Sequence, residues 1–156
     1  MAREHFSVPP DRGALWTGIG AQTATSLAMA RHLTTLEMTP LGASLDRGAM
    51  KQEMIRDFGE NWIAEKREIF KAASARFAES LLGLVTVFLP QGISRPRDGA
   101  EGSFAYNVKI IWDELRDADF GDPRRLIQKI TAMRICWVDG GRVVSETFMS
   151  ASNQIH

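Results

Sequence analysis

Leu84-Val85-Thr86-Val87-Phe88-Leu89, bounded by Gly83 and Pro90, decides the fold. The run is rich in β-branched residues and closed at both ends by strand breakers, which reads as a strand buried on both faces. Such a strand needs helices against it. Upstream, Trp62, Ile69, Ala73, Phe77 and Leu81 fall at helical spacings and predict a helix from about Asn61 to Leu82, ended by Gly83. Before it, the stretch from Gly42 to Phe58 keeps helical spacing through Leu45, Met50 and Met54, with Gly59 as C-cap. Ala21 to His32 is alanine-rich, without proline or glycine, and reads as a helix burying Ala24, Leu27, Ala28 and Leu33.

Downstream of the strand, residues 91–102 form a loop with Gly, Pro, Ser and the two arginines Arg95 and Arg97. Loops at the C-terminal ends of strands often carry function. Ser103 to Trp112 is predicted as a second strand on the strength of Phe104, Val108, Ile110 and Ile111. Asp122 caps a short helix that Pro123 opens and that runs to about Lys129. Ala132 to Val138 is another strand, and Asp139-Gly140-Gly141 turns it into Arg142 to Phe148. The expected fold is α/β: an N-terminal helical part packed on a small, mainly parallel C-terminal β-sheet with flanking helices. Residues 1–13, with Pro9-Pro10-Asp11-Arg12-Gly13, read as an irregular leading segment, and 14–156 as one domain.

Composition narrows the function classes. The 156 residues carry 19 basic and 19 acidic side chains, and this balance argues against a nucleic-acid backbone or an anionic membrane as partner. No apolar run reaches membrane-spanning length, and Met1-Ala2-Arg3-Glu4-His5 lacks the apolar core of a signal peptide. A lone cysteine, Cys136, excludes an intrachain disulfide and fits a protein working in a reducing cytoplasm. His5, His32 and His156 have no partner at ligand or triad spacing and are assigned no role. Gly18-x-Gly20 lacks the third glycine of a dinucleotide fingerprint.

Thr34-Thr35-Leu36-Glu37-Met38-Thr39-Pro40-Leu41-Gly42 sets one carboxylate among hydroxyls. Read as an extended segment, it turns Leu36 and Met38 inward and Glu37 to the other face. Pro40 would then open a helix capped by Thr39. In Ala14-Leu15-Trp16-Thr17-Gly18-Ile19-Gly20 an apolar pair is followed by small residues that allow close approach to the backbone.

Four ordered blocks carry a resemblance: Leu15-Trp16-Thr17-Gly18; Thr35-Leu36-Glu37-Met38-Thr39-Pro40; Phe70-Lys71-Ala72-Ala73-Ser74-Ala75-Arg76-Phe77-Ala78-Glu79 leading to Val85-Thr86-Val87-Phe88-Leu89; and Trp137-Val138-Asp139-Gly140-Gly141. Together they resemble the ADP-ribosyl cyclase family of NAD-cleaving enzymes, in particular its shorter bacterial toxin domains. The resemblance implies that Trp16 and Glu37 occupy the family's aromatic and acidic positions. Phe70 stands where the family usually has tryptophan, with Trp62 a possible substitute. Ser103-Phe104 looks like the family's Ser/Thr-Phe pair, and Glu114 is placed as the catalytic glutamate, with Asp113 the alternative.

What the resemblance implies is an NAD(P)+ glycohydrolase that needs no cofactor or metal and acts as an antibacterial effector. It would be secreted or injected to work in a recipient's cytoplasm, with a cognate immunity protein as partner. Trp16 and Phe70 would hold the nicotinamide ring. Glu114 would face the ribose, Glu37 the carboxamide, and Thr17, Ser103, Phe104 and Arg95 would contact phosphate or ribosyl groups. Hydrolase against cyclase outcome, and NAD+ against NADP+, stay open. The rival expectation is an inactive nucleotide-binding module or a structural adaptor of a secretion or phage assembly.

Overall fold

The computed structural model describes residues 8–39, 48–92, 104–115, 129–151 and 154–155. Its elements are β1 (Gly13–Trp16), α1 (Ala21–Ala30), a 3-10 turn (Leu36–Met38), α2 (Gly48–Phe58), α3 (Trp62–Ser80), β2 (Gly83–Pro90), α4 (Phe104–Glu114), β3 (Ile130–Asp139), β4 (Arg142–Ser150) and β5 (Gln154–Ile155). The five strands form one sheet in chain order. The first three run parallel, and β4 and β5 follow antiparallel. This is a mixed α/β fold with flanking helices, as expected, but its edge strand comes from Gly13–Trp16, so the sheet is not confined to the C-terminal half.

The side-chain alternation of the strands sorts two cores onto the two faces of the sheet. Leu15, Val85, Val87, Leu89, Met133, Ile135 and Trp137 point to one face, where Ala73, Phe77 and Leu81 cover them with Val108, Ile111 and Leu115. Ala14, Phe88, Cys136 and Val138 point to the other face, under Ala28 of α1 and Leu33. Each fully buried Leu, Ile, Val or Phe contributes roughly 1.5–3 kcal/mol. Trp137 is 0% exposed, and its indole N–H donates to Thr147 Oγ1 at 3.0 Å, so the largest buried ring is also satisfied.

β2 sits between β1 and β3, with Leu15 beside Val87 and Val87 beside Ile135. A parallel neighbour on each side explains why its sequence lacks a polar face. The β3–β4 hairpin pairs Asp139 with Arg142 around Gly140 and Gly141, whose φ values of 62° and 77° favour residues without Cβ. Residues 8–12 are tied in more firmly than a loose leader would be. Asp11 N–H donates to Leu82 O at 2.9 Å, and Asp11 Oδ1 accepts from Leu84 N–H at 2.7 Å.

Two local expectations are corrected. Ser103–Trp112 was expected as a strand, yet Phe104–Glu114 is a helix. The buried set Phe104, Asn107, Val108, Ile111, Trp112 and Leu115 has a repeat of three and four, which outweighs the β propensity of Ile110-Ile111. Leu36–Met38 is a 3-10 turn rather than an extended segment, and its two apolar residues do not share a face. Leu36 joins the core under α3, while Met38 packs against the core under α1. The short helix expected from Asp122 lies outside the described residues up to its last position, Lys129, which is in a turn; the start of a helix at Pro40 lies outside them, as do the side chains of Leu45 and Met50.

The helical periodicity of residues 104–115 separates Ile111 from Asp113, which a strand would put on one face. Ile111→Ala is expected to cost ~2–5 kcal/mol in urea unfolding. Asp113→Ala, at an exposed position, should stay within ~0.5 kcal/mol.

Candidate functional site

The chain returns along the edge of the sheet before it reaches α2. Thr34 makes a parallel bridge to Gly13, with Ala14 N–H donating to Thr34 O at 2.9 Å and Thr34 N–H to Arg12 O at 2.8 Å. Three residues further along both segments, the indole N–H of Trp16 donates to Glu37 Oε2 at 3.1 Å. The bridge and the side-chain bond thus keep the same offset of 21 residues. The turn at Leu36–Met38 holds Glu37 between two neighbours anchored in opposite cores. Met38 Sδ lies 3.5 Å from Thr35 N, and Thr39 Oγ1 donates to Leu36 O at 2.6 Å, which tightens the turn.

Beside this pair lies a cavity of about 690 Å³ at the C-terminal end of β1. Its walls are mainly apolar: Leu15, Leu36, Phe77 and Ile63, with half-buried Trp16 and Trp62. Its polar groups are few and of one dominant sign. Glu37 is the only carboxylate among the described lining residues, facing Lys66, Arg67 and Lys71 from α3, with Thr17 and Ser74 adding hydroxyls. A concave, mainly apolar site of this size with a few polar groups is what small-molecule binding requires. The end of the parallel strands is where α/β sheets place ligands.

α3 does two tasks along its length. Its C-terminal half buries Ala73 and Phe77 in the core, with Leu81 just past its end, while Ile69 in the middle is 36% exposed. Its N-terminal half walls the cavity with Trp62, Ile63, Lys66 and Arg67. The loop after β1 is held close by Gly18, whose φ is 73° and where a Cβ would come within 2.7 Å of Pro90. Any larger residue would push Thr17 and the loop away from β2.

The structure therefore brings Trp16, Thr17 and Glu37 together with Trp62 around one cavity. Phe70 lies in α3, but its side chain is outside the described residues, as are Ser103, Arg95 and Arg97. Phe104 is buried in the core rather than lining the cavity. Glu114 ends helix α4, half exposed, and is not among the cavity-lining residues; Asp113 is exposed. A strand would have delivered a carboxylate to the sheet end, whereas the helix turns Asp113 to solvent. Lys66, Arg67, Lys71 and Ser74 were not anticipated as lining residues. Ile63, Arg67 and Lys71, spaced by four, carried the signal for a common face.

Cys136 takes no part in this cavity. It is 0% exposed, with its thiol 3.8 Å from Glu146 Oε1. Burial pushes the thiol up to about 12, reinforced by Glu146 and opposed by the guanidinium groups of Arg31 and Arg134.

No protein-family model, curated protein or solved structure matches the chain. Functional assignment therefore stands on the residues and their geometry.

The coupling between Trp16 and Glu37, measured by a double-mutant cycle with Trp16→Phe and Glu37→Ala, should be on the order of 1 kcal/mol for a half-buried charge-assisted bond. Cys136 should resist iodoacetamide in the folded protein at pH 8 and react once unfolded. Because the folded thiol keeps a proton that the unfolded chain releases from about pH 9, its contribution to stability is full below pH 9 and falls as pH rises toward 12. Cys136→Ala should remove that part of the alkaline decline.

Proposed function

We propose that the chain is an NAD(P)+ glycohydrolase of ADP-ribosyl cyclase type, cleaving the nicotinamide–ribose bond as the toxin domain of an antibacterial effector. The observation that carries this reading is the Trp16–Glu37 pair at the mouth of an aromatic and cationic cavity. Its two indoles suit a pyridinium ring, which binds aromatic faces as a cation and less well once neutral. Lys66, Arg67 and Lys71 suit the pyrophosphate.

In the reaction, the bond between the nicotinamide nitrogen and the ribose anomeric carbon breaks, and its electron pair neutralises the leaving base. The sugar is left as an oxocarbenium ion, to which water adds with loss of a proton. A carboxylate near the ribose stabilises the developing cation most where water is thin. Glu37 is assigned this role because it faces the cavity. Glu114, the last residue of α4, is given none because it is not among the described residues that line the cavity. The toxin context, injection into a recipient cell and protection by an immunity protein rest on the resemblance of the four sequence blocks.

One observation favours a second reading. Glu37 is already engaged by Trp16, and no second described carboxylate lines the cavity. Those features also suit a module that binds a dinucleotide without turning it over.

Incubation of pure protein with NAD+ or NADP+, followed by chromatography, is expected to release nicotinamide with ADP-ribose or its phosphate. Glu37→Gln should lower kcat by about 10²-fold or more, and Trp62→Ala should raise KM. Calorimetric binding of NAD+ with no nicotinamide released would favour the binding module. Neither binding nor turnover would remove both readings.

A further inference from the structure

A second cavity lies toward the opposite end of the parallel strands, on the face covered by α1. It has a volume of about 330 Å³ and is lined by Arg12, Arg31 and Arg134, with Asp11, Leu84 and Thr86 among its other walls. It shares no lining residue with the first cavity. The three arginines line it from three separate segments: the residue before β1, the residue after α1 and the middle of β3. Thr86, 1% exposed, forms part of its base on β2.

The nearby carboxylates do not balance these cations. Asp11 Oδ1 is taken by the Leu84 N–H at 2.7 Å. Glu146 is shared: its Oε1 lies 3.2 Å from Arg31 Nη1 and 3.7 Å from Arg134 Nε, with the Cys136 thiol 3.8 Å away. Among the described residues, three guanidinium groups against two carboxylates leave one positive charge over. Arg134 also lies 5.9 Å over the Phe148 ring, and it shares Glu146 with Arg31. Contacts made before a ligand arrives lower the cost of ordering these side chains.

We infer that this cavity is an anion site for a phosphomonoester, gripped by Arg12, Arg31 and Arg134. Planar guanidinium forks match phosphate oxygens two at a time, which a lysine cluster would not do. A volume near the lower end of small-molecule sites accepts a phosphate with a small organic group and is too small for a dinucleotide. Glu146 acts as the internal competitor, occupying two of the three arginines until phosphate displaces it.

The test is calorimetric titration of the full chain with inorganic phosphate and with ribose 5-phosphate at constant ionic strength, alongside urea unfolding to confirm folding. Saturable 1:1 binding is expected, tighter for the ester if the ligand is an organic phosphate and equal if it is free phosphate. Arg12→Gln should weaken binding at least fivefold, and Arg12→Lys by less. Glu146→Gln, which frees Arg31 and Arg134, should tighten it severalfold. The proposal is overturned if neither wild type nor Glu146→Gln binds phosphate at ~10 mM. It also fails if binding survives Arg12→Gln and is lost in Lys71→Gln, which would move the phosphate to the first cavity.

Discussion

The return of residues 34–38 along β1 is the constraint on which the arrangement rests. β1 is an edge strand of only four residues, and an open edge of that kind exposes unpaired backbone groups. Thr34 pairs with its first residue, and the Trp16–Glu37 bond holds its last. One segment thus closes the sheet edge and sets a carboxylate beside an indole. Leu36 and Met38, anchored on opposite sides, leave Glu37 little freedom to do otherwise.

The same crossing of the edge explains how the helices are distributed. Having laid α1 over one face, the chain passes Leu36 to the other, where α3 buries its C-terminal half. Residues along α3, from Trp62 to Phe77, then line the larger cavity together with the end of β1 and the turn that carries Glu37.

Legibility in the sequence followed the strength of local signals. β2 was readable as a β-branched run between Gly83 and Pro90, and β3 with its hairpin as an apolar run that ends in the Asp139-Gly140-Gly141 turn. α3 was readable from its long repeat. β1 was not recognised as a strand, since four residues pairing only with a distant partner leave no periodicity to detect. α4 was misread because Ile110-Ile111-Trp112 looks extended until Phe104, Asn107, Val108 and Leu115 are counted on one face. At the site, Trp16, Thr17 and Glu37 came from block resemblance, and their meeting depends on the register of the edge, which no local pattern encodes. Glu114 was placed by its interval to Pro123 and by an apolar run read as a strand, and the run proves to be helix α4. The arginines of the second cavity lie far apart in sequence, so only the folded sheet brings them together.

The four tryptophans divide evenly between the two kinds of environment. Trp112 and Trp137 are sealed in the core, whereas Trp16 and Trp62 are half-buried at the large cavity. The chain therefore carries two built-in emitters of different colour: a blue-shifted pair that reports on the integrity of the interior and a red-shifted pair that reports on what enters the cleft. Occupancy and unfolding can be followed in a single spectrum without attaching any dye.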